Sequence, residues 1–314
     1  MVQENSLKYN SIIILGPTAC GKTGLSVALA KALNTEIIGA DSMQIYKDLD
    51  IGTAKVTNDE KQGIKHHMID IVDATASYSV AEYRDTALNI AKGIIDSGKI
   101  PVIVGGTGFY LMSLIKQQNY ASATGDEKIR NKYQSLLEEK GKEYIYSILQ
   151  QIDKESANKL HYNDTKRVIR ALEIYETTGK TKSQLNNEDR CENTFLRPLI
   201  VGLNLSERQK LYDKINLRVD VMFEQGLEKE VKSLYDRGLN EEFQSMQGIG
   251  YKEFFDYFKG KITLEDVKEQ IKLNTRHYAK RQLTYFNQFE NINWYYTDTT
   301  DTNDIVDDII KKVT

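Results

Sequence analysis

A chain of 314 residues is long enough to bury a full core and, at the usual domain size, to carry a second unit beside it. Its 40% hydrophobic and 28% charged residues, with no long uninterrupted apolar stretch, exclude a membrane-spanning helix and describe a soluble globular protein. The formal net charge of −3 does not advertise a nucleic-acid binder, but a local basic face is what meets phosphate, so the distribution of charge has to decide.

Residues 11–15 form a short apolar run that ends in Gly16-Pro17, and residues 21–33 then place Leu25, Leu29 and Leu33 at helical spacing. Residues 36–40 read as a second buried strand, 68–72 as a third, and 100–104 as a fourth closed by Gly105-Gly106. Between the last two, a helix over 80–97 is opened by Ser79 and Glu82 at capping-box spacing and stopped by Gly98. Strands alternating with helices predict an α/β fold, a parallel sheet with helices on both faces. From about 111 to 196 the pattern turns helical, with segments near 126–140, 153–161 and 165–178, the last capped by Asn163 or Asp164 and stopped by Gly179. Alternation resumes with a strand at 198–205 and a helix over 206–225 that ends at Gly226. A long helix over 263–289 opens with Thr263 and Asp266, and a strand at 292–296, with Trp294 expected in the core, precedes a terminal amphipathic helix. The predicted organisation is a discontinuous sheet core, 1–113 and 197–314, with a helical insertion domain over 114–196.

Gly16, Pro17, Thr18, Ala19, Cys20, Gly21, Lys22 and Thr23 fit G-x-x-x-x-G-K-[ST], between the strand and the helix that a phosphate loop requires. The core is therefore P-loop NTPase-like. Glycines let backbone N–H groups converge on phosphate oxygens, the helix N-terminus and Lys22 add positive charge, and Thr23 is the expected Mg²⁺ ligand. Most such loops bind a nucleoside triphosphate, so ATP and a small-molecule kinase remain open. The acid that usually closes another buried strand is missing after 101–104, where Gly105-Gly106-Thr107-Gly108 follows; it stands instead in Ala40-Asp41-Ser42.

The loop is followed by Gly39-Ala40-Asp41-Ser42-Met43-Gln44-Ile45-Tyr46, Asp50-Ile51-Gly52-Thr53-Ala54-Lys55, His66-His67-Met68-Ile69-Asp70 and Val104-Gly105-Gly106-Thr107-Gly108-Phe109-Tyr110. Further along come Lys166-Arg167-Val168-Ile169-Arg170-Ala171-Leu172-Glu173, Gly248-Ile249-Gly250-Tyr251-Lys252-Glu253 and Arg276-His277-Tyr278-Ala279-Lys280-Arg281-Gln282. This ordered set resembles the tRNA dimethylallyltransferase (tRNA isopentenyltransferase) family, in its bacterial form, over about residues 12–286. The resemblance implies transfer of a dimethylallyl group from dimethylallyl diphosphate to the exocyclic amine of the adenosine 3′ of the anticodon. The loop and Mg²⁺ then hold the leaving group. It makes Asp41 the general base and Thr18 and Arg218 diphosphate contacts. For the anticodon stem-loop it implies contacts from Asp41, Ser42, Met43, Gln44, Thr107, Arg130, Lys166, Arg167 and Arg170, and further on from Gln247, Gly248, Ile249, Gly250, Tyr251, Lys252, Arg276, Lys280, Arg281 and Gln282. A monomer is expected. The rival within the same chemistry is an adenylate isopentenyltransferase, which would have no use for two basic clusters.

Charge patterning agrees with an RNA partner. Lys268, Lys272, Arg276 and Lys280 recur every four residues, drifting about 40° per step, and so form one stripe on the long helix. Some of the 19 tyrosines are candidates for stacking on unpaired bases. His66-His67 invites a metal reading, but neighbours on a strand point to opposite faces, which favours structural roles. Cys20 beside Lys22 and a helix N-terminus is expected to have a lowered pKa yet to be dispensable. Tyr285 stands where the family often has Trp. With Cys20 and Cys191 the only cysteines there is no disulfide framework, and with no Cys or His after His277 a zinc-finger extension like that of the eukaryotic members is not expected. Nothing near Met1 resembles a secretory leader, so the expected location is the cytoplasm.

Overall fold

Ser11–Leu15 (β1) is buried at every residue, as a strand covered on both faces of a parallel sheet must be, and the structure grows outward from it. The structure is a computed structural model that describes residues 8–116, 126–188 and 195–314. After β1 come α1 (Lys22–Ala32), β2 (Ile37–Gly39), α2 (Asn58–Lys61), β3 (His66–His67), α3 (Val80–Asp96), β4 (Val102–Gly105) and α4 (Gly108–Ile115). Then follow α5 (Glu127–Lys140), α6 (Lys142–Ile152), α7 (Lys154–Lys159), α8 (Thr165–Thr178) and α9 (Lys182–Glu188). The chain continues through β5 (Pro198–Asn204), α10 (Arg208–Glu224), α11 (Leu227–Asp236), α12 (Phe254–Phe258), α13 (Leu264–Phe286), β6 (Asn293–Tyr296) and α14 (Thr302–Val313).

The chain divides into two compact units, residues 1–114 with 195–314, and residues 115–194. In the first unit six strands, all parallel, lie in the order β3-β2-β4-β1-β5-β6. Ile12, Ile14, Leu25, Leu29, Val201, Leu203 and Ile309 are among the residues packed in its main core. A second cluster in the same unit joins Tyr46, Leu49, Val231, Met246, Tyr251 and Phe254. The capping boxes at Ser79/Glu82 and Thr263/Asp266 form as their spacing requires. Among the described residues, no helix is long and apolar enough to cross a membrane.

Two expectations are corrected and a third is narrowed. The third strand is His66–His67, not 68–72: Met68 (φ 62°) and Asp70 (φ 55°) turn into left-handed backbone, and Val72 meets Tyr46 only as an isolated bridge. The apolar residues at 69, 71 and 72 gave that segment a strand's composition without its geometry. Trp294 lies on the edge strand β6 and is 38% exposed rather than core. The cap of α8 is Asp164, which accepts from the Arg167 amide, whereas Asn163 accepts from Lys142.

The second unit is helical. Tyr133, Ile145, Leu149, Val168 and Leu172 form its core, and α6 fills the gap left between the predicted helical segments.

Candidate active site

Gly21 begins α1 in left-handed backbone (φ 91°) without a side-chain cap, so the first amides of the helix carry no side-chain acceptor. Lys22 folds back over the loop, its Nζ donating to the Gly16 and Pro17 carbonyls at 2.9 and 2.7 Å, and burial lowers its pKa. The Thr18 amide donates to Gln282 Oε1 at 3.0 Å, and Gln282 Nε2 donates to the Gly106 carbonyl at 2.9 Å. Gln282 is therefore a buried clamp from α13 that fixes the loop against the end of β4. From α10, Arg218 Nη1 reaches Thr18 Oγ1 at 3.5 Å. Thr23 is exposed on the first turn of α1, where a P-loop hydroxyl meets a phosphate-bound cation. No group of three or more His, Cys, Asp or Glu side chains suited to a metal occurs among the described residues, so a cation here would rely on Thr23 and on ligand phosphates.

Cys20 is fully buried, and burial raises its pKa, correcting the expected lowering; Lys22 opposes the rise but is outweighed. Its sulfur is a space-filler under the loop. Cys20→Ser is expected to keep its turnover while losing about 1–2 kcal/mol of stability from the desolvated hydroxyl, read by thermal melts beside activity; an inactive but folded variant would overturn this.

Asp41 follows β2 directly. Its Oδ1 accepts from the Met43 and Gln44 amides at 2.9 and 3.4 Å, capping the turn, while Oδ2 has no hydrogen-bond partner among the described residues. Burial raises its pKa, opposed by those two bonds and by Lys22. The neighbouring backbone is tightly built: a Cβ on Gly105 would lie 2.0 Å from the Ala40 carbonyl oxygen, so only glycine lets β4 pass this close to β2. Thr107 Oγ1 accepts from the Ser42 amide at 3.0 Å. His66 and His67 take the structural roles foreseen, His66 Nδ1 on the Ile64 carbonyl and His67 Nε2 on Glu36.

Thr18, Asp41 and Arg218 line one cavity of about 290 Å³, together with Ser42, Met43, Gln247, Gly248, Ile249, Lys252 and Arg281. The cavity also holds residues that motif reading missed. Ile215, Val219 and Met222 of α10 and Ile271, Thr275 and Tyr278 of α13 line its wall, and Gly52 and Thr53 line it as well. For Ile215, Val219, Met222, Ile271 and Thr275 the only sequence signal was helical spacing, which serves a cavity wall and a packed core alike; Gly52, Thr53 and Tyr278 stand in blocks that carried the resemblance, which gave them no site role.

Other candidates lie elsewhere. Gln44 Nε2 donates to the Thr53 and Ala54 carbonyls, and Tyr251 is fully buried with its hydroxyl on Glu230. Gly250 adopts φ 97°, its amide on Glu253. Three of the four cations in the basic stripe do not lie on an open face: Lys268 and Lys272 both bind Asp220 of α10, at 2.8 and 2.9 Å, and Arg276 donates to Asn216 at 2.7 Å, whereas Lys280 is exposed. Helical spacing placed these cations on one side of α13 correctly, but that side packs against α10.

In the second unit, Arg130 and Arg170 share the buried carboxylate of Glu173, at 3.1 and 2.7 Å, and Arg167 pairs with Asp164 at 3.2 Å. Lys166 is exposed. Lys182 joins this cluster unforeseen: burial lowers its pKa first, and Arg167 and Arg170 push it further in the same direction.

Fold and site together define a P-loop α/β protein in which Thr18 of the phosphate loop and the half-buried carboxylate of Asp41 face one cavity. The family described as IPP transferase matches residues 44–289. A tRNA dimethylallyltransferase of Caldanaerobacter subterraneus subsp. tengcongensis is 47% identical over 91% of each chain, and one of Bacillus cytotoxicus is 48% identical over 95% of this chain and 93% of its own. Among solved structures, the tRNA isopentenylpyrophosphate transferase of Bacillus halodurans has a TM-score of 0.72 at 42% identity and 97% coverage of each chain. A eukaryotic dimethylallyltransferase acting on tRNA has a TM-score of 0.81 at 33% identity, covering 97% of this chain and 80% of its own. The chain belongs to the IPP transferase family, the tRNA dimethylallyltransferases, and is a transferase.

Proposed function

We propose that the protein transfers a dimethylallyl group from dimethylallyl diphosphate to the exocyclic amine of the adenosine 3′ of the anticodon, acting as a cytoplasmic monomer. The observation that carries this is one cavity lined by the Asp41 carboxylate, the diphosphate-side pair Thr18 and Arg218, and an apolar wall able to take a five-carbon chain. The amine nitrogen bonds to the allylic carbon, the carbon–oxygen bond to the diphosphate breaks with its electron pair leaving on the diphosphate, and the amine proton passes to Asp41 Oδ2. Negative charge grows on the leaving group, where Lys22, Arg218 and the unoccupied amides of α1 stabilise it. Thr23 would hold Mg²⁺, which would supply further charge neutralisation to the diphosphate.

The target adenine must leave its stack to reach the cavity, at a cost of a few kcal/mol that protein contacts offset. Lys252 and Arg281 line the cavity for this purpose, and the second unit contributes Arg130, Lys166, Arg167, Arg170 and Lys182.

The deciding assay gives the protein labelled dimethylallyl diphosphate, Mg²⁺ and unmodified tRNA, with AMP and ATP as parallel acceptors. Label in tRNA alone is expected. Label in AMP or ATP would move the activity to nucleotide prenylation, and label in none would favour a kinase using ATP on the same loop.

A further inference from the structure

A second cavity, about 380 Å³, shares no lining residue with the first and is formed by β5, β6, α10 and α13. Parallel pairing sets Gly202 opposite Trp294 and Asn204 opposite Tyr296. A Cβ on Gly202 would lie 2.5 Å from the indole, so the Trp294 ring rests directly on bare backbone, and it remains 38% exposed. Tyr296, two residues on and therefore on the same side of the strand, is 46% exposed. Arg208 of α10 and Lys280 of α13 line the same cavity, and neither has a carboxylate within ion-pair distance among the described residues. Lys268 and Lys272, on the same helix as Lys280, are both neutralised by Asp220.

We propose that this cavity is a second nucleotide-binding site, distinct from the catalytic one, which stacks a base on Trp294 and holds its phosphate with Arg208 and Lys280. An indole seated on glycine is rigid and presents an aromatic face, and base stacking on such a face is sequence-tolerant. Arg208 and Lys280, without a carboxylate partner among the described residues, supply the charge a phosphate needs, and the Asn204 and Asn287 side-chain amides supply donors and acceptors for a base edge. An acidic peptide would use the cations but leave the ring idle. The nucleotide comes either from the RNA substrate outside its reacting adenosine or from a free mononucleotide.

Trp294 is the single tryptophan of the chain, so intrinsic fluorescence of the whole protein reports on this cavity directly. The protein is titrated separately with AMP and with unmodified tRNA, and the same titrations are run on Arg208→Gln after its melting temperature has shown it folded. Saturable quenching that Arg208→Gln weakens about tenfold or more is expected, the loss of one charge-assisted contact. Such quenching by AMP identifies a mononucleotide site; such quenching by tRNA alone identifies a nucleotide of the RNA. No quenching by either, or quenching unaffected by Arg208→Gln, overturns the proposal. Asp41→Asn, which alters only the catalytic cavity, should leave AMP quenching unchanged, and its loss in that variant would also overturn it.

Discussion

Asp41→Asn should lower single-turnover transfer by about 10² to 10⁴, the usual contribution of a positioned general base, while leaving tRNA affinity close to normal. The asparagine oxygen can still accept from the Met43 and Gln44 amides, so the turn after β2 survives and only the proposed proton acceptor is lost. Asp41→Ala loses both, and its additional defect should appear as a lower melting temperature. Near-normal turnover in the asparagine variant would remove Asp41 from the proton transfer and leave it as a cap. The pH dependence has a definite sign. Only the ionised carboxylate accepts a proton, and burial raises the folded pKa, so kcat falls as pH drops through a value above that of an ordinary aspartate. Persistence of that acidic limb in the residual activity of Asp41→Asn would assign it to another group.

How much of this was legible in the sequence depends on the range of each interaction. The phosphate loop, the two capping boxes and Asp41 at a strand end are local, set by residues a few positions apart, and they appear where the pattern put them. The short edge strand β3 was misplaced because 68–72 has a strand's composition but turns left-handed at Met68 and Asp70. The stripe on α13 was real as geometry, and its meaning was decided by Asp220 and Asn216 on another helix. Trp294 was expected in the core, but an edge strand leaves alternate residues outside. The apolar wall of the cavity carries no mark separating it from packing, since Ile215, Val219 and Met222 have the spacing of any buried helix face.

Glu230 shows this limit most plainly and leads to the other large expected effect. Nothing in its sequence neighbourhood marks it, because three of its four partners are backbone amides about 180 residues away. One carboxylate oxygen accepts from the Asp50 and Ile51 amides at 3.1 and 2.7 Å; the other accepts from the Gly52 amide at 3.1 Å and from the Tyr251 hydroxyl at 2.6 Å. Burial first, and Glu230 next, raise the Tyr251 pKa, which keeps the phenol protonated as a donor. A single side chain on α11 thus ties residues 50–52 to the segment around Tyr251. Gly52 from the one, with its neighbour Thr53, and Gly248, Ile249 and Lys252 from the other line the cavity that Asp41 faces. Glu230→Ala strands these donors together. At about 1–3 kcal/mol for each group left unsatisfied, and with water reaching the outermost amide, the expected loss is about 3–5 kcal/mol in denaturant unfolding. Because Lys252 of the second segment belongs to the proposed tRNA side of the cavity, the KM for tRNA should rise well before the KM for dimethylallyl diphosphate does. Glu230→Gln keeps one acceptor oxygen but turns an amide donor toward other donors, so it should fall between the parent and the alanine variant on both measures. Unchanged stability with both KM values intact would mean that the two segments hold their places without Glu230. Lost stability with an unchanged KM for tRNA would confine its role to the fold.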